Sequence, residues 1–117
     1  MQNTTTIGKT GEQLACELLE NKGYKILYQN FRHGKREIDI IASQENLVVF
    51  VEVRLRKNAN FGFPEQTVTA TKQHNIRTVA EHYLHTYEWK GNIRFDIIAI
   101  IKNKAMYEIL HFEDAFC

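Results

Sequence analysis

The feature that most constrains this chain is acid placed inside two apolar strands. Residues 37–54 read EIDIIASQENLVVFVEVR. The apolar runs Ile38–Ala42 and Leu47–Val53 flank the polar stretch Ser43–Asn46, a pattern that predicts an antiparallel hairpin. Asp39 stands among isoleucines, and Glu52 stands among valines and a phenylalanine. Charged side chains are rarely buried unless they are paired or bound to metal. Side chains alternate across a strand, so Glu52 and Arg54 project from the face that carries Val48 and Phe50. A pairing that brings Asp39 to the same face would converge two carboxylates and a guanidinium. Two carboxylates about 4 Å apart repel by roughly 4 kcal/mol at an effective dielectric near 20. A divalent cation, Arg54, or both must offset that repulsion.

The rest of the chain frames the hairpin. A helix is expected from Gly8 or Thr10 to Asn21, with Thr10 and Gln13 as a capping box, Leu14, Ala15, Leu18 and Leu19 as its apolar stripe, and Gly23 as its stop. Residues 1–6 are polar and expected to fray. Glu12 in the first turn suits the helix N-terminus, but it also shares a face with Ala15, Cys16 and Leu19. YKILYQNF, 24–31, reads as a strand leading through a His33–Lys35 turn into the hairpin. After Arg54 a loop of about nine residues suggests a flap or a packed connection. Pro64 then suits the first position of a helix reaching about Tyr87, with Val68, Ile76, Val79, Ala80, Tyr83 and Leu84 near one stripe. Lys72 interrupts that stripe, either as a snorkelling lysine or as a cation reaching the carboxylates or a phosphate. His82 and His85 lack a third ligand of suitable spacing, so no metal site is expected there. His33, His74 and His111 suggest no role. IRFDIIAII, 93–101, is apolar enough to be covered on both faces, and Asp96 within it has Arg94 as its expected partner. Residues 102–104 turn the chain back into a last strand, 105–112, and Phe116 in the short tail is free to dock.

The predicted order is αβββαββ. A long helix between the third and fourth strands favours a right-handed parallel crossover, and hence an α/β fold with a mixed sheet and helices on its faces. At 117 residues one domain, 1–117, is expected. The net charge of +1 excludes a global field that would draw the chain onto nucleic acid or membrane. The charge is nevertheless uneven. Arg32, His33, Lys35 and Arg36 precede the first acidic strand, and Arg54, Arg56 and Lys57 close the second. Two unpaired cysteines, no apolar leader and no membrane-length apolar run are what a cytoplasmic protein would show.

A helix-borne glutamate, an acid on each strand of a hairpin, a cation two residues after the second acid and a long following helix resemble the PD-(D/E)XK, or restriction-endonuclease-like, fold. More closely, IGKTGEQLA, GYKILYQNFR, EIDIIA, VVFVEVRLR, FGFPEQTV, RFDIIAI and HFEDAF resemble the YraN-like family of small uncharacterised bacterial proteins. These stretches span nearly the whole chain. The family is regarded as a predicted endonuclease, distantly similar to archaeal Holliday junction resolvases. The resemblance implies catalytic roles for Glu12, Asp39, Glu52, Arg54 and Lys72. It implies Mg²⁺ or Mn²⁺ on Asp39, Glu52 and a strand carbonyl near Val53, since both ions prefer oxygen ligands. Such a cation would lower the pKa of a water and offset leaving-group charge.

Two positions depart from the family pattern. Arg54 stands where lysine is usual, and Arg36 where glycine is usual. Arginine cannot serve as a general base, but it can hold a phosphate or stabilise developing charge. Three readings follow. The first is a metal-dependent endonuclease acting on DNA, including branched or junction DNA. The second is a nucleic-acid-binding module on the same fold, contacting phosphates through Arg32, Lys35, Arg36, Arg54, Arg56 and Lys57. The third is an interaction protein in which Asp39, Glu52 and Arg54 form a buried ion network. A homodimer would suit a junction substrate, with Phe61, Phe63 and Phe116 as candidate contacts.

Overall fold

A computed structural model of the chain describes residues 3–56, 68–103 and 106–117, with side chains from Gly11 onward and excepting Asn103. The element order is α1 (Asn3–Asn21), β1 (Lys25–His33), β2 (Arg36–Gln44), β3 (Leu47–Arg56), α2 (Ala70–Thr86), β4 (Asn92–Asn103) and β5 (Met106–Phe116). The strands form one five-stranded sheet in the order β1-β2-β3-β4-β5. β3 and β4 are parallel, and the other neighbouring pairs are antiparallel. The αβββαββ order and the mixed α/β sheet therefore match expectation, in a restriction-endonuclease-like arrangement.

The two faces of the sheet bury separate cores. Ala15, Cys16 and Leu19 of α1 pack with Ile40, Ala42, Val49, Val51, Ile98 and Ile100. Ile76, Val79, Ala80 and Tyr83 of α2 pack with Ile41, Val48, Phe50 and Phe95. The central strands β3 and β4 are thus covered on both sides, which is why they read as nearly continuous apolar runs. Each fully buried Ile or Leu contributes on the order of 2 kcal/mol.

Element boundaries differ from the sequence reading for local reasons. α1 begins at Asn3, so Thr10 lies inside the helix and is not its cap, and residues 3–6 are helical rather than frayed. No proline interrupts that stretch, and propensity alone is too weak to set the boundary. At the other end the stop signal holds. Gly23 has φ +96°, the Tyr24 amide donates to the Leu19 carbonyl at 2.9 Å and the Gly23 amide donates to that of Glu20 at 3.0 Å. This is the Schellman pattern that glycine permits. α2 starts at Ala70, not Pro64. Thr69 is its N-cap, and its side chain accepts from the Lys72 amide at 3.1 Å. The expected flap, with Lys57, Phe61, Phe63 and Pro64, lies outside the described residues. β5 continues past 112 to Phe116 through an irregularity at Asp114, where φ is +55°. Phe116 stacks on Phe95 at 5.2 Å between ring centroids and is half-buried against the α2-side core.

Candidate active site

The hairpin ladder explains why the acids meet. β2 and β3 pair from Gln44↔Leu47 up to Ile40↔Val51. One step further would set Asp39 opposite Glu52, but the backbone ladder ends first. The Val53 amide donates instead to Asp39 Oδ2 at 2.8 Å. Alternation also breaks here. Ile38 and Ile41 both join the α2-side core although they are three apart, while Ile40 faces α1. On β1, Asn30 sits between the pairs Gln29↔Ile40 and Phe31↔Ile38 and takes φ +54°. A kink shared by both strands therefore re-aims Asp39, as bulges do near functional sites.

Carboxylate oxygens of Glu12, Glu37 and Asp39 lie within 4.8 Å of one another. Glu12 comes from α1 and the other two from β2, two residues apart. Glu52, on β3, is buried and makes contact with two cations. Lys72 Nζ and Arg54 Nη1 each lie 3.4 Å from its Oε2. These partners do not offset the cost of burial. Desolvation, with Asp39 adding to it, pushes the Glu52 carboxyl up to about 7 against the pull of Lys72 and Arg54. Burial likewise raises Asp39, although the Val53 amide and Lys72 act the other way. Glu12 is raised by burial and then by Asp39. The cluster holds more negative charge than its own cations balance. Its donors are all carboxylate oxygens, the chemistry that Mg²⁺ and Mn²⁺ prefer, so these side chains fit such an ion.

Asp39, Glu52, Arg54 and Lys72 thus come together, and Glu12 joins them through Asp39. Of Val53, the contact to the site is its amide. Arg32 Nη2 pairs with Glu37 at 3.0 Å. Arg32, Lys35, Arg36, Glu37, Lys72 and Asn75 line a pocket of about 370 Å³ between the β1–β2 turn and α2. Arg56 Nη1 donates to the Leu55 carbonyl at 3.2 Å. Sequence reasoning passed over Glu37, although its i, i+2 spacing from Asp39 was the available signal. It also passed over Asn75, whose i, i+3 spacing from Lys72 puts both on one side of a helix.

Two histidines expected to be without role do have contacts. His33 stacks on His82, with ring centroids 3.9 Å apart. His111 belongs to a second buried network, on the α1 side of β4. There Arg94 grips Asp96 through Nε and Nη2, both at 2.8 Å, which bears out the expected pair. His111 Nε2 lies 2.7 Å from Asp96 Oδ2, and Lys22 Nζ lies 2.9 Å from His111 Nδ1. An ammonium only donates, so Nδ1 accepts and Nε2 carries the hydrogen given to Asp96. The Asp114 amide donates to Asp96 Oδ1 at 2.9 Å. Burial alone would raise the Asp96 carboxyl, but His111, Arg94 and the Asp114 amide together hold it below the usual range.

The sheet, the helix-borne Glu12 and the acidic hairpin define a restriction-endonuclease-like α/β protein. Within that class, the chain belongs to uncharacterised protein family UPF0102, the YraN-like family, whose profile matches residues 11–100. It is 50% identical over 93 residues to a UPF0102 protein of Cytophaga hutchinsonii, covering 80% of this chain and 82% of the relative. It is 42% identical over 116 residues to one of Flavobacterium psychrophilum, covering 99% and 98% respectively. A third, from Caldicellulosiruptor saccharolyticus, is 40% identical over 102 residues, 86% of each chain. Among the described residues no helix is long and apolar enough to cross a membrane.

Proposed function

We propose that this protein is a metal-dependent endonuclease acting on DNA, with branched or junction DNA as its substrate class. One observation carries the reading. The buried carboxylate of Glu52 and the half-buried one of Asp39 meet across adjoining strands with their acidities suppressed, beside a lysine and an arginine that each lie 3.4 Å from Glu52. Perturbed acids of this kind cluster at catalytic sites. Asp39, Glu52, Glu12 and Glu37 would hold Mg²⁺ or Mn²⁺, which would supply Lewis acidity toward a phosphodiester. The Val53 amide orients Asp39. Lys72 and Arg54 flank Glu52 and stabilise charge that builds on the phosphate during displacement. The ammonium that the family usually supplies from position 54 comes here from Lys72 on α2, at the same carboxylate oxygen as Arg54. Arg32, Lys35 and Arg36 hold the sugar-phosphate backbone beside the acids.

The test is a cleavage assay on labelled duplex, single-stranded, flap and four-way-junction DNA, in Mg²⁺, Mn²⁺ or EDTA. Metal-dependent cleavage by the wild type, abolished in Glu52→Ala, is expected. A second reading, a binding module without turnover, draws on Arg54 standing in the lysine position. Cleavage by Arg54→Lys but not by the wild type would favour it, as would salt-sensitive DNA binding that survives EDTA.

A further inference from the structure

The pocket between the β1–β2 turn and α2 combines features that the acid cluster does not need. Arg32, Lys35, Arg36 and Lys72 set four cations around it against the single carboxylate of Glu37. Arg32 is committed to Glu37 at 3.0 Å. Lys35 and Arg36 make no ion pair among the described residues. The turn that carries them is tight, with Gly34 at φ +67°. Opposite stands α2, whose Lys72 and Asn75 lie one turn apart and whose Ile76 anchors that turn in the core. Like charges gathered around a concavity raise the local concentration of an anion.

Two walls are shared with the acid cluster. Glu37 lines the pocket and lies within 4.8 Å of the Glu12 and Asp39 carboxylates. Lys72 lines it too, and reaches Glu52. A phosphate lying against Lys72 and Glu52 would thus have the pocket as its immediate neighbour. A volume of about 370 Å³ sits at the low end for small-molecule sites. That suits one nucleotide. Asn75 is the neutral hydrogen-bonding side chain of the lining, and it makes no hydrogen bond among the described residues. Its amide can donate to a phosphate oxygen and accept from a sugar hydroxyl at once.

We propose that this pocket is a single-nucleotide subsite, in which Arg36, Lys35 and Asn75 hold the phosphate adjoining the scissile one. The inference rests on the nucleic-acid reading above and deepens it. Asn75 is a positioning residue for the substrate strand.

The experiment is titration of ¹⁵N-labelled protein in EDTA with inorganic phosphate, thymidine 5′-monophosphate and the dinucleotide pTpT, followed at the Asn75 side-chain amide. All three are expected to move that resonance, with pTpT binding tightest. Arg36→Ser should weaken pTpT roughly tenfold, the scale of one charge-assisted hydrogen bond. On a single-stranded oligonucleotide it should lower the salt slope by about 0.7. An Asn75 amide that stays still while other resonances shift overturns the proposal, as does undiminished affinity in Arg36→Ser. Equal affinity for phosphate and pTpT also overturns it, since the site would then take a free anion only. Saturable pTpT binding, together with no cleavage of any of the four DNA forms in Mg²⁺ or Mn²⁺, would sink the nuclease reading and leave a nucleotide site standing. Cleavage with Asn75 unmoved would do the reverse.

Discussion

Asp96 and the pair of buried Glu52 with half-buried Asp39 are acids in the same sheet, and they have opposite surroundings. Asp96 is wholly buried yet receives two bonds from Arg94, one from His111 and one from the Asp114 amide. Its carboxyl is held below the usual range. Glu52 has two cations, each no closer than 3.4 Å, and its carboxyl rises to about 7. Asp39 has one backbone amide and is raised as well. Burial is common to both regions, and completeness of partners separates them. A satisfied acid locks β4, β5 and the end of α1 together. The Asp39–Glu52 pair has partners too, but they hold its charge less well, so both carboxyls are raised.

The comparison can be broken most forcefully at Asp96. Asp96→Asn removes the buried charge that Arg94, His111 and the Asp114 amide hold, leaving half-buried Arg94 with only Glu113 at 3.8 Å, and should cost about 3 kcal/mol by urea unfolding. A loss below about 1 kcal/mol would show that this network is not structural.

The pH dependence should have opposite signs in the two regions. Glu52 is raised from 4.5 to about 7 in the folded state, so between those values the folded protein binds more protons than the unfolded chain. Stability is then highest near pH 4.5 and falls as pH rises through 7, by roughly 3 kcal/mol for a shift of this size. Asp96, lowered from 3.8, contributes stability above that value and loses it as pH falls below. Urea midpoints measured in EDTA from pH 5 to 8 should decline in the wild type and flatten in Glu52→Gln. A flat wild-type profile would contradict the assigned burden on Glu52.

Divalent cation should act on one region alone. At pH 8, Mn²⁺ at tenfold over its dissociation constant should stabilise the wild type by about 1.4 kcal/mol, read as a higher melting temperature. Asp39→Asn should abolish the shift. An unchanged shift in that variant would move the metal elsewhere.

The smallest effect is expected at Gly11, in α1 beside Glu12. A Cβ there would meet Ile100, Leu55 and Val53 at 3.5–3.7 Å, ordinary contact distances. Gly11→Ala should add about 0.4–1 kcal/mol by restricting the unfolded chain, with cleavage unchanged. A destabilised variant would mean that α1 lies closer to the sheet than these distances allow.

The sequence by itself determined the order of elements, because apolar periodicity differs between helix and strand and Gly23 can end a helix where few residues can. It determined the acidic hairpin, since alternation puts Glu52 and Arg54 on the side of Val48 and Phe50. It showed Arg94 beside Asp96, since two residues along a strand share a face. Tertiary structure decided the rest. Only packing shows that Asn30 and Asp39 kink together, which turns Asp39 away from strict alternation and brings Glu37 into the cluster. Lys72 was ambiguous on helix logic, and the docking of α2 over β3 sets it at Glu52. His111 suggested no role because its partner, Asp96, is 15 residues away in sequence and adjacent only across the β4–β5 ladder, where the Asp114 amide, 18 residues away, joins it. Local rules read neighbours along the chain, whereas a buried charge is balanced by whatever the fold brings to it.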